Sequence, residues 1–489
     1  MNLIRTLKYA SLIYLLIPSI LFLLTWVNLA VGLSASILII AYFFWYAKRD
    51  AANSVREVSS QYRGWVHIFG MLALAIGVNV LLGIGEFKRQ ESDFIANNFK
   101  YHDLIQHDWP LYYTHYKVHM CYYLGYYLPV AQLAKWFSLE SARYFALGWS
   151  VIGLFFVLLW ISTFVKKNGG LLVILVIIFP NAWIIYALID LIGWHREVFP
   201  HYFILINDFY LVLSKFEDNW AWAPQHTLPA VLGACFVLEA FVSKKVNRLE
   251  LLLMLLSTMY WSPLASIGLF PFVVILFLKD FPTLFQQAKL PELLGMTGLV
   301  MAFLPLMIYF ISTEGVNSGN TGFIWQTGTS LWGGYYAIYV LANVGIWYCF
   351  IQTELFEWSP LIYGSMCFII ILGVYRIGLY NDLNVRGVIP AYTIMSTGIC
   401  IWVMKGWKKR RVGAYILSCY LLLGGLQSVR SFVVQGMSSN TPQTTIEKPF
   451  IGHYNSMLSF QENAYGDSTA IKEYCLKKDG FFDKYLLKK

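Results

Sequence analysis

Charge is scarce in this chain. Its 489 residues hold 36 Lys and Arg and 27 Asp and Glu, so charged side chains make up 13%, about half of what soluble domains carry. That scarcity excludes a soluble globular enzyme and a disordered chain, which need polar surface throughout. A nucleic-acid-binding module is excluded too. The net charge is +9, but the positive residues sit beside apolar runs rather than in one basic patch. Cysteine is also sparse, with seven in all and no framework spacing. Cys235, Cys349, Cys367, Cys400 and Cys419 fall inside apolar runs and read as small core residues. Cys121 and Cys475 both fall on the side read below as outer, which leaves one disulfide open. There is no Gly-rich phosphate loop, no internal repeat and no low-complexity tract. The first apolar run lacks a small-residue cleavage site and is soon followed by a second, so it reads as a retained span.

What is abundant is apolar. Hydrophobic residues are 58% of the chain, aromatics 18%, and the mean hydropathy is +0.57. These values point to an all-α polytopic membrane protein. Apolar stretches of spanning character begin near Leu7, Ala30, Trp65, Tyr144, Gly170, Leu228, Leu249, Ser266, Glu292, Leu331, Pro360, Val388 and Gly413. That is a bundle of about 13 transmembrane helices. Between Leu249 and Leu278, Trp261, Ser262 and Pro263 interrupt the pattern, predicting two short helices or one long bent one. Basic residues at Arg5, Lys48, Arg49, Lys166, Lys167, Lys244, Lys245, Arg248, Lys279 and Lys405–Arg411 fall on one side if the N-terminus is cytoplasmic and the C-terminus outside. The acidic loop at Glu354 and Glu357 is the exception. The expected organisation is a membrane domain over 1–430 and a small extracytoplasmic tail over 431–489, folded against outer loops at about 86–143 and 194–227.

Polar function concentrates on that outer side. Of nine histidines, all but His67 fall there. In the first outer loop, Glu91 and Asp93 follow directly on a span, then come a polar helix-like stretch, Trp109-Pro110, and seven tyrosines between Tyr112 and Tyr127. The tyrosine run reads as an interfacial helix with its rings at headgroup depth. A carboxylate in such a partly dry, aromatic setting suits a general base acting on a hydroxyl. Capping of the next helix is the simpler role for the same two residues.

The order of carboxylate, short helix, Trp-Pro and interfacial helix resembles the first outer loop of the GT-C glycosyltransferases. These are polytopic enzymes that use polyprenyl-phosphate sugars, among them the protein O-mannosyltransferases, aminoarabinose transferases and oligosaccharyltransferases. The resemblance implies a GT-C-like fold with Asp93 as the catalytic acidic residue and Glu91 second. Two extra spans ahead of the motif-bearing loop depart from the usual pattern.

The second outer loop opens on Trp194-His195-Arg196-Glu197 and closes on Trp220-Ala-Trp222-Ala-Pro224-Gln225-His226, directly before a span. Gln225 and His226 then stand at a helix N-terminus, which favours an anion such as a lipid phosphate. A Trp/His cluster anchoring the interface is the other reading. In a late outer loop, Arg386 lies at the membrane surface. Its partner is a lipid-linked phosphate, which the GT-C resemblance implies, or Asp382 or a headgroup. Arg376 and Arg430 are weaker sites of that kind, as are His102, Asp103 and His195 for substrate. His115 and His119 have i,i+4 spacing, but no HExxH or Cys-rich pattern supports a zinc. The resemblance requires no cofactor, and a loop carboxylate holding Mg²⁺ or Mn²⁺ is the variant some members use.

The expectation is an inverting membrane glycosyltransferase. It would move a sugar from a polyprenyl-phosphate donor to a hydroxyl of a glycan, lipid or protein, as a monomer in a bacterial plasma membrane with its site facing outside. Two rivals stand beside it. An O-antigen-type polymerase or ligase would carry its main outer loop late in the chain, whereas here the large loops come early. A lipid or solute transporter would place ionisable residues near mid-membrane; Glu239 is the best such residue, but it is a single one and lies nearer the cytoplasmic end of its span.

Overall fold

The computed structural model describes residues 3–53, 64–181, 211–279, 290–315, 321–327, 332–352, 356–378, 381–437, 442–450, 452, 454–465 and 470–489. Helices dominate them. In chain order they are α1 (Leu3–Trp26), α2 (Leu29–Asn53), α3 (Trp65–Leu81), α4 (Asp93–Gln106), α5 (Leu128–Trp136), α6 (Ala142–Thr163), α7 (Gly169–Ile177), α8 (Phe216–Trp222) and α9 (Pro224–Ser243). There follow α10 (Arg248–Trp261), α11 (Pro263–Lys279), α12 (Leu290–Ile311), α13 (Trp332–Ile351), α14 (Ser359–Leu372), α15 (Asp382–Gly387), α16 (Ile389–Lys408), α17 (Val412–Met437) and α18 (Met457–Tyr465). Sheet is confined to two small antiparallel pairs among the described residues. In one, Tyr112 and Tyr113 face His119 and Val118; in the other, Gly322 and Phe323 face Arg376 and Tyr375.

Every apolar stretch identified in the sequence carries a helix, and eight helices are long and apolar enough to cross a membrane. The chain is an all-α membrane protein. The helices Trp65–Leu81, Pro263–Lys279 and Ser359–Leu372 are apolar but shorter. At 1.5 Å per residue even the 17 residues of α3 reach only about 25 Å, against roughly 30 Å of hydrocarbon. Several long helices keep an apolar outer face. On α2, Leu33, Ile37 and Phe44 are exposed, as lipid contact requires.

The break at Trp261-Ser262-Pro263 yields two helices. Proline at the first position of α11 pushes its predecessor out of helical geometry, and Ser262 is extended at φ −159°, ψ 103°. The Ser262 hydroxyl accepts the Ala265 N–H at 3.1 Å, which caps the new helix.

The described chain divides into two compact units. The first comprises 1–160, 224–317 and 439–489; the second comprises 161–223 and 318–438. In the first unit α1, α2, α9, α10, α11 and α12 pack together around Tyr14, Trp149 and Trp261, whose rings lie 4.2–5.8 Å apart. One end of this bundle is tied by ion pairs. Lys8 reaches Glu239 at 2.8 Å and Glu250 at 3.1 Å, and the Tyr46 hydroxyl donates to Glu250 at 2.6 Å. In the second unit α14 packs on α16, which packs on α17 and α7.

Within the first unit, the described residues of the terminal segment pack against the earlier ones. Asn98 donates to the Thr444 carbonyl at 3.1 Å, Glu86 accepts the Ile446 N–H, and Tyr116 donates to Glu462 at 2.7 Å. Farther on, Met120 pairs with Cys475 and Thr313 with Leu476. Cys121 and Cys475 are both free thiols, and the Cys121 sulfur lies 3.3 Å from the Tyr309 carbonyl. Burial pushes the Cys475 thiol up to about 12 and Cys121 higher still, so neither is a ready thiolate.

Candidate functional site

The polar segment between α3 and α6 is built on α4. Asp93 lies in the first turn of α4, where a carboxylate complements the helix dipole. Glu91 precedes that turn and its carbonyl accepts the Phe94 N–H at 3.0 Å. Asp93 is exposed and Glu91 half-buried, so the aromatic, dry setting expected around Asp93 lies elsewhere. It begins one turn later, at Asn97.

The tyrosine run differs from the interfacial helix expected of it. Tyr112 to His119 form a hairpin whose turn passes through Lys117 at φ 54°. Residues 121–127 then wind to the start of α5, with Tyr113, Tyr126 and Tyr127 buried. The rings of these three pack inward instead of lying along a lipid surface. Gly125 makes this possible: a Cβ there would stand 2.8 Å from the Trp261 Cα. The same hairpin separates His115 from His119, so the one-face spacing read from the sequence does not arise. Burial also pulls the His119 pKa down. Among the described residues no three His, Cys, Asp or Glu side chains gather as a metal would need.

Asp103 is buried and acts as a clamp. One of its oxygens accepts both the Tyr113 hydroxyl and the Met457 N–H, each at 2.9 Å. His102 Nδ1 lies 3.6 Å from the other oxygen. Met457 is the first residue of α18, so Asp103 supplies that helix with a cap from α4.

The aromatic enclosure surrounds Lys100. The Lys100 ammonium donates to Asn97 Oδ1 at 3.1 Å and lies 3.5 Å from the Tyr127 hydroxyl. It sits 4.6 Å over the Tyr122 ring and 5.2 Å over that of Tyr127. Sequence reasoning missed both Asn97 and Lys100. The available signal was spacing: 93, 97 and 100 are i, i+4 and i+7, one face of a helix.

Gln225 and His226 open α9 and are buried. His226 Nδ1 shares a 2.7 Å hydrogen bond with the Ser262 hydroxyl, and its ring meets Tyr123 edge-on at 4.7 Å. Tyr123 packs against Tyr122 with centroids 3.7 Å apart. A continuous line of groups thus runs from Lys100 through Tyr122 and Tyr123 to His226, all in the first unit. Compared with protein-family models, with curated proteins and with solved structures, the chain finds no match.

Arg376 and Arg386 belong to the second unit. Arg386 pairs with Asp382 at 3.3 Å, one of the partners its sequence setting offers. Arg376 is buried, and its Nε donates to the Gly378 carbonyl at 3.2 Å. His195 lies outside the described residues. The second unit also holds an ion pair that the sequence reading did not single out. Lys215 meets Glu217 at 2.6 Å, both 2% exposed, and Ser428 donates to the same carboxylate.

Proposed function

We propose that the chain is a membrane glycosyltransferase that moves a sugar from a polyprenyl-phosphate donor to an acceptor hydroxyl. The observation that carries this reading is the distribution of groups along α4. A carboxylate stands exposed at the start of the helix, and an amide and an ammonium follow on the same face as it enters a tyrosine-walled interior. One face therefore offers an acceptor for a hydroxyl proton at one end and donors for an oxyanion at the other. The rise of the helix sets them roughly 10 Å apart, which leaves room for a sugar between them.

The reaction follows from these groups. Asp93 orients the acceptor hydroxyl and takes its proton as the oxygen bonds to the anomeric carbon. The bond from that carbon to the phosphate oxygen breaks on the opposite face, inverting the centre. The polyprenyl phosphate leaves with the electron pair. Glu91 is the second carboxylate near the start of the helix, and Gln225 and His226, at the N-terminus of α9, hold the departing lipid phosphate. The reading carries with it about 13 membrane passes, a cytoplasmic N-terminus and a site facing outward from a bacterial plasma membrane. The acceptor is a glycan, lipid or protein hydroxyl.

The transporter reading loses its chief support. Glu239 is held by Lys8 at 2.8 Å within an ion-pair network, as a structural charge would be. The test of the proposal is transfer of labelled sugar from polyprenyl-phosphate donors by the purified protein in nanodiscs. Loss of transfer in Asp93→Asn is expected. Absence of transfer from every donor would overturn the proposal.

A further inference from the structure

Arg143 is the second residue of α6, a helix of 22 residues that is long and apolar enough to cross a membrane. A first-turn residue of such a helix stands where the span meets the headgroups. The Arg143 side chain lies over two rings. Its guanidinium carbon is 4.5 Å from the centroid of Phe87 and 5.2 Å from that of Tyr144, and the two rings are 5.9 Å apart. The turn that carries Phe87 is pressed onto α6. A Cβ at Gly85 would stand 2.9 Å from the Leu147 Cβ and 3.0 Å from the Arg143 carbonyl oxygen.

The guanidinium is thus held in place, yet its donors are not taken up. Its Nε is buried with no partner, and among the described residues Arg143 makes no hydrogen bond or ion pair. The Arg143 charge acts on Glu86, but that carboxylate accepts the Ile446 N–H and does not pair with the arginine. A half-buried guanidinium asks for an acceptor. Its planar fork of N–H groups matches the oxygens of a phosphate.

The surroundings say which phosphate. Tyr144 is 58% exposed, and Trp136 and Phe137, where α5 ends ahead of α6, are 70% and 72% exposed. Large exposed rings beside a span belong at headgroup depth. They offer contact to a glycerol backbone and acyl chains, which a free phosphate lacks. The dipole at the start of α6 favours the same negative charge.

We propose that Arg143 is a binding site for the phosphate of a membrane phospholipid, seated at the start of α6 with Phe87 and Tyr144 positioning the guanidinium. The guanidinium donates to the phosphodiester oxygens. Bound there, the lipid ties the turn after α3 and the start of α6 to the membrane surface. The site stands apart from the glycosyltransferase reading and takes no part in transfer.

The experiment is lipid binding to the full chain in detergent, read by native mass spectrometry. The probes are phosphatidylglycerol, diacylglycerol and inorganic phosphate. Arg143→Gln should weaken binding of phosphatidylglycerol at least about fivefold and leave diacylglycerol unchanged. A second measurement uses the wild type alone and decides the matter if the variant fails to fold. Labelling by an arginine-selective reagent is read at Arg143 by peptide mass spectrometry. Phosphatidylglycerol should protect Arg143, and diacylglycerol should not. Equal labelling with and without phosphatidylglycerol would overturn the proposal, as would an Arg143→Gln protein that binds this lipid as tightly as the wild type. Protection by inorganic phosphate as strong as that by the lipid would overturn the assignment to a phospholipid.

Discussion

A single oxygen of Asp103 receives both the Tyr113 hydroxyl and the Met457 N–H, each at 2.9 Å. It fastens the hairpin and the terminal segment to α4 at one point. Asp103→Ala removes the acceptor from two buried donors, a loss on the order of 3 kcal/mol. Limited proteolysis should then cut within 442–489 well before the membrane helices. Unchanged protection would mean that the other contacts of this segment suffice.

Lys8 neutralises two carboxylates, Glu239 and Glu250. Lys8→Met strands both in the interior, and breaking such a buried network costs about 3–5 kcal/mol. Glu239→Gln leaves Lys8 paired with Glu250 and should cost much less. Unfolding midpoints in detergent test the order. Equal losses would show that Glu239 carries a charge the network cannot spare.

Gly125 sits flush on the backbone of Trp261, where a Cβ would approach to 2.8 Å. Gly125→Ala must push the tyrosine run away from the helix break, at about 1–3 kcal/mol. Because Tyr123 rests on His226 and His226 on Ser262, the strain should reach that hydrogen bond. The histidine ring resonances would report it. An unshifted His226 signal would contradict the coupling.

Burial raises the Glu86 pKa above the ordinary carboxylate range, against the opposing Ile446 N–H and the Arg143 charge. A carboxyl group raised on folding favours the folded state in its protonated form. Stability is therefore lost as pH rises from the unfolded pKa through the folded one. Glu86→Gln keeps an acceptor for Ile446 without the charge. It should raise the unfolding midpoint at neutral pH, and its advantage should vanish below about pH 4, where an unfolded glutamate is protonated too. A pH-independent difference would contradict this.

Hydropathy made the helices legible, since each stretch of apolar side chains must close its own backbone hydrogen bonds in lipid. The division at Trp261-Ser262-Pro263 was legible because proline acts locally. The tyrosine run was not. Its hairpin and inward turn depend on Gly125 meeting Trp261 and on Met120 pairing with Cys475, contacts far apart in sequence. Lys100 was overlooked for a similar reason. A lysine in a polar helix reads as solvated, and only the packing of Tyr122 and Tyr127 buries it. Asp93 was picked out by its place after a span, while its exposure followed from how α4 docks.

We propose that the carboxylate opening α4 drives sugar transfer from a lipid phosphate. The most direct measurement compares wild type and Asp93→Asn for transfer of radiolabelled sugar from a panel of polyprenyl-phosphate donors in nanodiscs, with lipid binding followed in parallel. Transfer by the wild type is expected, with a drop of at least about a hundredfold in the variant and binding of the lipid phosphate retained. Equal transfer by both proteins would contradict it.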